Sequence, residues 1–254
     1  MKTELIPQVA RYTRHIRDVT LYRLKGKKLS PTRFVIFGRG RSGSTALVSL
    51  LDSLPNLFCD SEILNQRVLF PFSHVLAKCA KSNSETYGCK ILSYQIKSVQ
   101  PISNQAEFLN RLLENGFKII YLKRENLIYH ALSNIRARQF GYHTKTTEKR
   151  EQGKVQIDLD ELLKWMRASE ELNVYEERLL KSVPHLSLTY EKNLLDSETH
   201  QPTLQLICDY LNIGCGKGKT KYRKGAPKTL RDSVENYDEL VNFVKNTPYE
   251  KYLD

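Results

Sequence analysis

Short apolar runs alternate along this chain with longer segments whose apolar residues recur at helical spacing. Residues 34–37 (FVIF) read as a buried strand, and Ala46, Leu47, Leu50, Leu51 and Leu54 fall on one helical face that Pro55 closes. Residues 88–94 (GCKILSY) form a second strand. Ala106, Phe108, Leu109, Leu112 and Leu113 mark a helix ended by Gly116. Residues 117–122 (FKIIYL) are the clearest buried strand, with a helix over 126–139 behind them. A longer helix is expected over 158–182, a short strand over 186–189, and helices over 201–212 and 233–246. Residues 7–24 predict a basic helix ahead of this core. Apolar strands separated by helices specify an α/β fold with a mainly parallel sheet covered on both faces. In such sheets a ligand sits beyond the carboxyl ends of the strands.

No internal repeat or low-complexity linker divides the chain, so residues 1–30 are read as an N-terminal extension and 31–254 as a single domain. A chain of 254 residues with 40% hydrophobic content can bury a substantial core. Its formal charge of +12 favours an anionic ligand but leaves nucleic acid, nucleotide, acidic glycan and membrane surface open. Charges interrupt every apolar stretch near the N-terminus, so neither a signal peptide nor a membrane span is legible, and a cytoplasmic location is the default. Cys59, Cys79, Cys89, Cys208 and Cys215 are scattered and form no CxxC pair, which reads as reduced thiols.

The candidate chemistry lies just after the first strand. In GRGRSGSTAL, Gly38 is followed after four residues by Gly43, Ser44 and Thr45, the frame of a phosphate-binding loop opening a helix. Ser42, Ser44 and Thr45 add hydroxyl donors, and Arg39 and Arg41 add cations. Ser44, however, occupies the position where a nucleotide hydrolase or kinase needs lysine. The strands read here also end in Lys123-Arg124, in Tyr94 or in Tyr190, never in a carboxylate suited to magnesium. A metal-dependent kinase with a variant loop is the weaker reading.

At these residues the chain resembles the sulfotransferases that use 3′-phosphoadenosine 5′-phosphosulfate (PAPS), and more closely their bacterial trehalose-sulfotransferase-like, nodulation-type branch. The resemblance implies a P-loop-like three-layer sandwich. It places Arg39, Gly40, Arg41, Ser42, Gly43, Ser44 and Thr45 at the 5′-phosphosulfate. YLKRENLIYHALSNIRARQFGY resembles the segment in which a strand-end arginine, here Arg124, and a helix serine, here Ser133, grip the 3′-phosphate. Thr189-Tyr190-Glu191 resembles the strand-end Tyr-Glu whose tyrosine lies near the adenine or ribose. Arg223-Lys224-Gly225, within a run over 217–231 of seven cations and no acid, resembles a further 3′-phosphate element.

The resemblance implies sulfuryl transfer from PAPS, with PAP as product and no metal required, to a hydroxyl or amine of a carbohydrate, lipid or small-molecule acceptor. Arg41 would stabilise the leaving phosphate. PNLFCDSEILNQ resembles the segment carrying the general base in several bacterial and heparan-type members, with Glu62 at the matching position. Asp60 is its neighbouring rival, and His130 and His143 are outside candidates. Lys90 would reach the transferring sulfonate. Residues 63–80 and 140–157, the least regular segments, are expected to line the acceptor pocket, with His143 among the substrate contacts. A non-enzymatic polyanion or nucleic-acid binder is the competing class, although no nucleic-acid-binding motif is present. Acceptor identity and the question of a homodimer stay open.

Overall fold

The computed structural model describes residues 5–26, 28–140, 153–220 and 229–253. Its centre is a five-stranded sheet of β1 (Thr32–Gly38), β2 (Leu57–Glu62), β3 (Thr86–Leu92), β4 (Phe117–Lys123) and β5 (His185–Thr189), in the order β2-β3-β1-β4-β5. Every pairing is parallel, with Val35 opposite Cys89 on one side and Ile119 on the other. β1 is central, and its side chains alternate between two cores. Val35 and Phe37 join Tyr87, Cys89, Ile91, Ile119 and Tyr121 on one face. Phe34 and Ile36 join Ile120, Leu122 and Leu188 on the other. A strand buried on both faces reads as a continuous apolar run, which is why residues 34–37 were legible.

Helices cover both faces. α2 (Ser44–Leu51) and α8 (His200–Leu211) bury Leu47, Leu50, Leu51, Leu204 and Ile207 against the second core. α3 (Pro71–Ser82) and α4 (Gln105–Glu114) cover the first with Val75, Leu76, Cys79, Phe108, Leu109 and Leu112. α4 closes as expected, with Gly116 at φ 73°. α5 (Leu127–Phe140) and α6 (Leu159–Leu180) share a third core with α9 (Leu230–Ser233) and α10 (Tyr237–Val244). α7 (Tyr190–Asn193) is a single turn after β5, and α1 (Leu5–Lys25) lies ahead of β1 against α3. No helix among the described residues is long and apolar enough to cross a membrane.

Three expectations change. β2 was unread, although Leu57 and Cys59 are buried and Phe58 between them is exposed, a period of two. Much of the supposedly irregular stretch 63–80 is α3, opened by Pro71 at its first turn and stabilised by its buried face. The single final helix is instead α9 and α10. Val155 interrupts it by accepting from Glu235 and donating to Ser233, while Asn236 donates its side-chain amide to the Ile157 carbonyl. Tertiary hydrogen bonds here outcompete one more helical turn.

β1 ends where the loop must turn sharply. Gly38 has φ 148°, and a Cβ there would lie 2.1 Å from the Leu122 carbonyl oxygen on β4. Backbone cannot retreat from such a contact without breaking the ladder. Gly38→Ala is expected to lower the unfolding free energy by about 3 kcal/mol or more, measured by urea denaturation.

Candidate active site

The loop after β1 is held from beneath by buried polar groups. Arg39 is 2% exposed, with its guanidinium turned inward to donate to the carbonyls of Ser169 (2.7 Å) and Arg124 (3.5 Å). This corrects the expectation that its side chain faces a phosphate. Ser42 is likewise turned inward, donating its hydroxyl to the Arg39 carbonyl at 3.0 Å. Both residues shape the loop rather than present side chains to an anion.

His130 on α5 completes this support. Burial, then the positive charge of Arg39, pushes its pKa down to about 3. The imidazole is therefore neutral near pH 7. Nε2–H donates to the Gly40 carbonyl at 2.7 Å, and Nδ1, 2.7 Å from the Ser169 hydroxyl, accepts. A neutral ring pinned at both nitrogens positions the loop and is not available as the acceptor's base. The charge of Glu176 also acts on Arg39. Burial raises its pKa, while Arg39 and hydrogen bonds from Ser93 and Tyr121 (2.5 and 2.8 Å) act against that rise. Nothing in the sequence marked this network, because α6, β3 and β4 meet only in the folded chain.

The open side of the loop faces the start of α2. Gly43 has φ 81°, and a Cβ on it would lie 2.6 Å from the Tyr190 ring. Gly43 caps α2 with no side-chain hydrogen bond. The first amide groups of α2 therefore point from the helix end with its positive dipole, which suits a phosphate. Ser44 and Thr45 begin this helix.

Arg41, in the left-handed region at φ 63°, donates from Nε to the Ser133 hydroxyl at 3.1 Å. Arg124 donates to the Arg41 carbonyl at 3.5 Å and lies 4.6 Å from the centre of the Tyr190 ring. Glu191 holds this corner by accepting from the amides of Glu125 (3.0 Å) and Asn126 (3.1 Å), and it lies 3.8 Å from Arg124 Nε. Burial lowers the Arg124 pKa, opposed by Tyr190 and Glu191. Arg41, Arg124, Ser133 and Tyr190 thus meet at one place, although separated by up to 149 positions (190 − 41). The loop arginine joins the expected 3′-phosphate pair directly.

Glu62 reaches the site through a bulge. Asp60 pairs with Cys89, but Glu62 pairs with Lys90, so Ser61 is skipped. Without that extra residue Glu62 would face the other side of the sheet. Lys90, 3% exposed, lies 3.0 Å from Glu62 Oε1 and donates to Thr45 Oγ1 at 3.2 Å. Gln95, in a single π-helical turn (Gln95–Val99), donates from Nε2 to Glu62 Oε2 at 2.9 Å. The Leu92 amide donates to its Oε1, which fixes the orientation of the Gln95 amide. Gln95 was missed because one glutamine near a strand end carries no pattern of its own. Asp60, the rival base, lies instead near Tyr87 (3.5 Å) and Lys78 (3.9 Å).

β2, which the sequence reading does not include among the strands, ends in the carboxylate of Glu62. Both its oxygens face donors, one of them a cation, so the arrangement gives no support to a magnesium site. His143, Arg223, Lys224 and Gly225 lie outside the described residues.

No family model matches the chain. It is 23% identical over 244 residues to Nodulation protein H of Rhizobium tropici, covering 89% of this chain and 94% of the other. Among solved structures, a sulfotransferase from Alicyclobacillus acidocaldarius overlays with a TM-score of 0.48 at 12% identity, over 76% of this chain and 86% of that one. A mouse sulfotransferase complexed with PAP overlays with a TM-score of 0.46 at 15% identity, over 77% and 64%. Both superpositions are partial.

The positioning role of His130 has a thermodynamic signature. Its folded pKa is lowered from 6.5 to about 3, so the unfolded chain binds its proton first. The associated stability is complete above pH 6.5 and is lost as the pH falls toward 3. Between pH 7 and 5 the wild type is expected to lose about 2 kcal/mol more than His130→Gln, read from denaturation curves at each pH.

Proposed function

We propose that this protein transfers the sulfuryl group of PAPS to an acceptor hydroxyl or amine by metal-free in-line displacement, with Glu62 as base. In this reading residues 31–254 are the transferase domain and residues 1–30 an appended helix. The α2 amides with Ser44 and Thr45 hold the 5′-phosphate. Arg41, Arg124 and Ser133 meet the remaining phosphate charge, with Tyr190 beside the nucleoside. The acceptor is a carbohydrate, lipid or small molecule, in keeping with a half-buried Glu62 reachable from outside.

The observation that carries the reading is the chain Glu62–Lys90–Thr45. It sets a carboxylate and an ammonium in line with the phosphate loop. Glu62 accepts the acceptor's proton as the new S–O or S–N bond forms. The bond from sulfur to the 5′-phosphate oxygen breaks, and the electron pair leaves with PAP. Lys90 neutralises charge on the sulfuryl oxygens in transit, and Arg41 that on the departing phosphate. Arginine stays protonated and gives two parallel bonds to phosphate, so its role is electrostatic and not acidic.

Glu62→Gln is expected to reduce turnover by about 10²–10⁴-fold while leaving PAP affinity in calorimetry unchanged. Retained turnover would remove Glu62 as the base. Arg41→Ala and Arg124→Ala are each expected to weaken PAP binding by about ten- to a hundred-fold. Normal PAP affinity in both variants would overturn the assignment of the arginine cluster. A pooled screen of labelled PAPS against sugars, lipid glycans, phenols and alcohols supplies the acceptor for the turnover assay.

A further inference from the structure

The solvent face of α1 has no role in the transfer chemistry and an unusual composition. Nine large apolar side chains are exposed among the described residues. Ile16, Leu21, Leu24, Leu69 and Phe70 account for five of them, so exposure is concentrated in α1 and the segment just before α3. Leu24 is 79% exposed. α1 already buries a face: His15 and Val19 are buried, with Tyr22 packed on the core beneath. Ile16, Leu21 and Leu24 project from the remaining arc of the helix, which the fold leaves uncovered.

Cations surround these apolar residues. Arg17 is 62% exposed, and Arg23 and Lys28 are exposed as well. Arg23 lies across the Phe70 ring at 5.8 Å and donates to the Ser73 hydroxyl at 3.1 Å, tying the 69–70 segment to α1. The sequence of α1 contains five cations and one acid, Asp18, which lies 3.3 Å from Lys81 on α3.

We propose that this face of α1, with Leu69 and Phe70, docks the protein on an anionic lipid bilayer. The apolar side chains enter the headgroup boundary, while Arg17, Arg23 and Lys28 meet lipid phosphates. Charge argues against a second copy of the chain, because pairing two such helices would bring like charges together. The apolar residues argue against nucleic acid, which would leave Leu24 in water. A bilayer of anionic lipid satisfies both features at once.

The proposal is tested by co-sedimenting the full-length protein with phosphatidylcholine vesicles made with and without phosphatidylglycerol, at low and high salt. Binding only to the anionic vesicles is expected. Ile16→Ser combined with Leu24→Ser should weaken it about ten-fold, and Arg17→Gln about five-fold. Thermal melts with PAP check that each variant folds and keeps the nucleotide site. The assay contains no PAPS, so its outcome is independent of the transfer reaction. Absence of binding to anionic vesicles overturns the proposal. So does binding that Ile16→Ser/Leu24→Ser leaves intact, which marks general adsorption of a basic protein. A dimer in light scattering that Leu24→Ser dissolves, without vesicle binding, assigns the face to a second copy. Salt-sensitive binding of DNA or RNA through Arg17 and Arg23, again without vesicle binding, assigns it to nucleic acid.

Discussion

The ammonium of Lys90 is buried at the carboxyl end of β3, and an unpaired charge in that position would cost several kcal/mol. Much of the site geometry answers that demand. A bulge in β2 turns Glu62 onto the Lys90 side of the sheet, and Gln95 holds the second carboxylate oxygen. Thr45, at the start of α2, takes the third direction. One buried cation thereby ties an edge strand, its neighbour β3 and the start of α2 into a single unit. The same pairing leaves a carboxylate and an ammonium side by side next to the N-terminus of α2.

A second demand of the same kind lies under the loop. Arg39 is buried with a permanent charge, and the structure answers with backbone carbonyls and the field of Glu176. His130 stays neutral in that positive surrounding and lends its proton to the Gly40 carbonyl. Supports of this type stiffen a glycine-rich turn that would otherwise be free to collapse. The loop amides are thereby held in one arrangement.

Legibility in the sequence followed the range of the interactions involved. β1, β3 and β4 were readable because strands buried on both faces are continuous apolar runs. α2 and α4 were readable from one apolar face and a stop signal. β2 escaped because it is an edge strand, half exposed and carrying two acids. α3 escaped because its polar residues disguised a buried face that only the sheet below makes useful. Within the site, Arg124, Ser133, Tyr190 and Glu62 were named from motif resemblance, and the fold brings them to the carboxyl end of the sheet. Gln95, Glu176 and Ser169 had no local pattern, and Arg39 and Ser42 were misread for the same reason. A side chain's direction depends on partners that lie more than a hundred residues away for Arg39.

The local backbone of the loop was thus legible from order alone. Glycines that permit positive φ and hydroxyls at a helix start set a tight turn into α2 in whatever fold follows β1, because backbone conformation and helix dipoles are short-range effects. Which cations turn inward, which stay at the open side of the loop, and which carboxylate stands by it were decided only in three dimensions. Those outcomes rest on burial, on strand register and on a one-residue bulge. All three are properties of strands and helices packed together, and none exists in any segment taken singly.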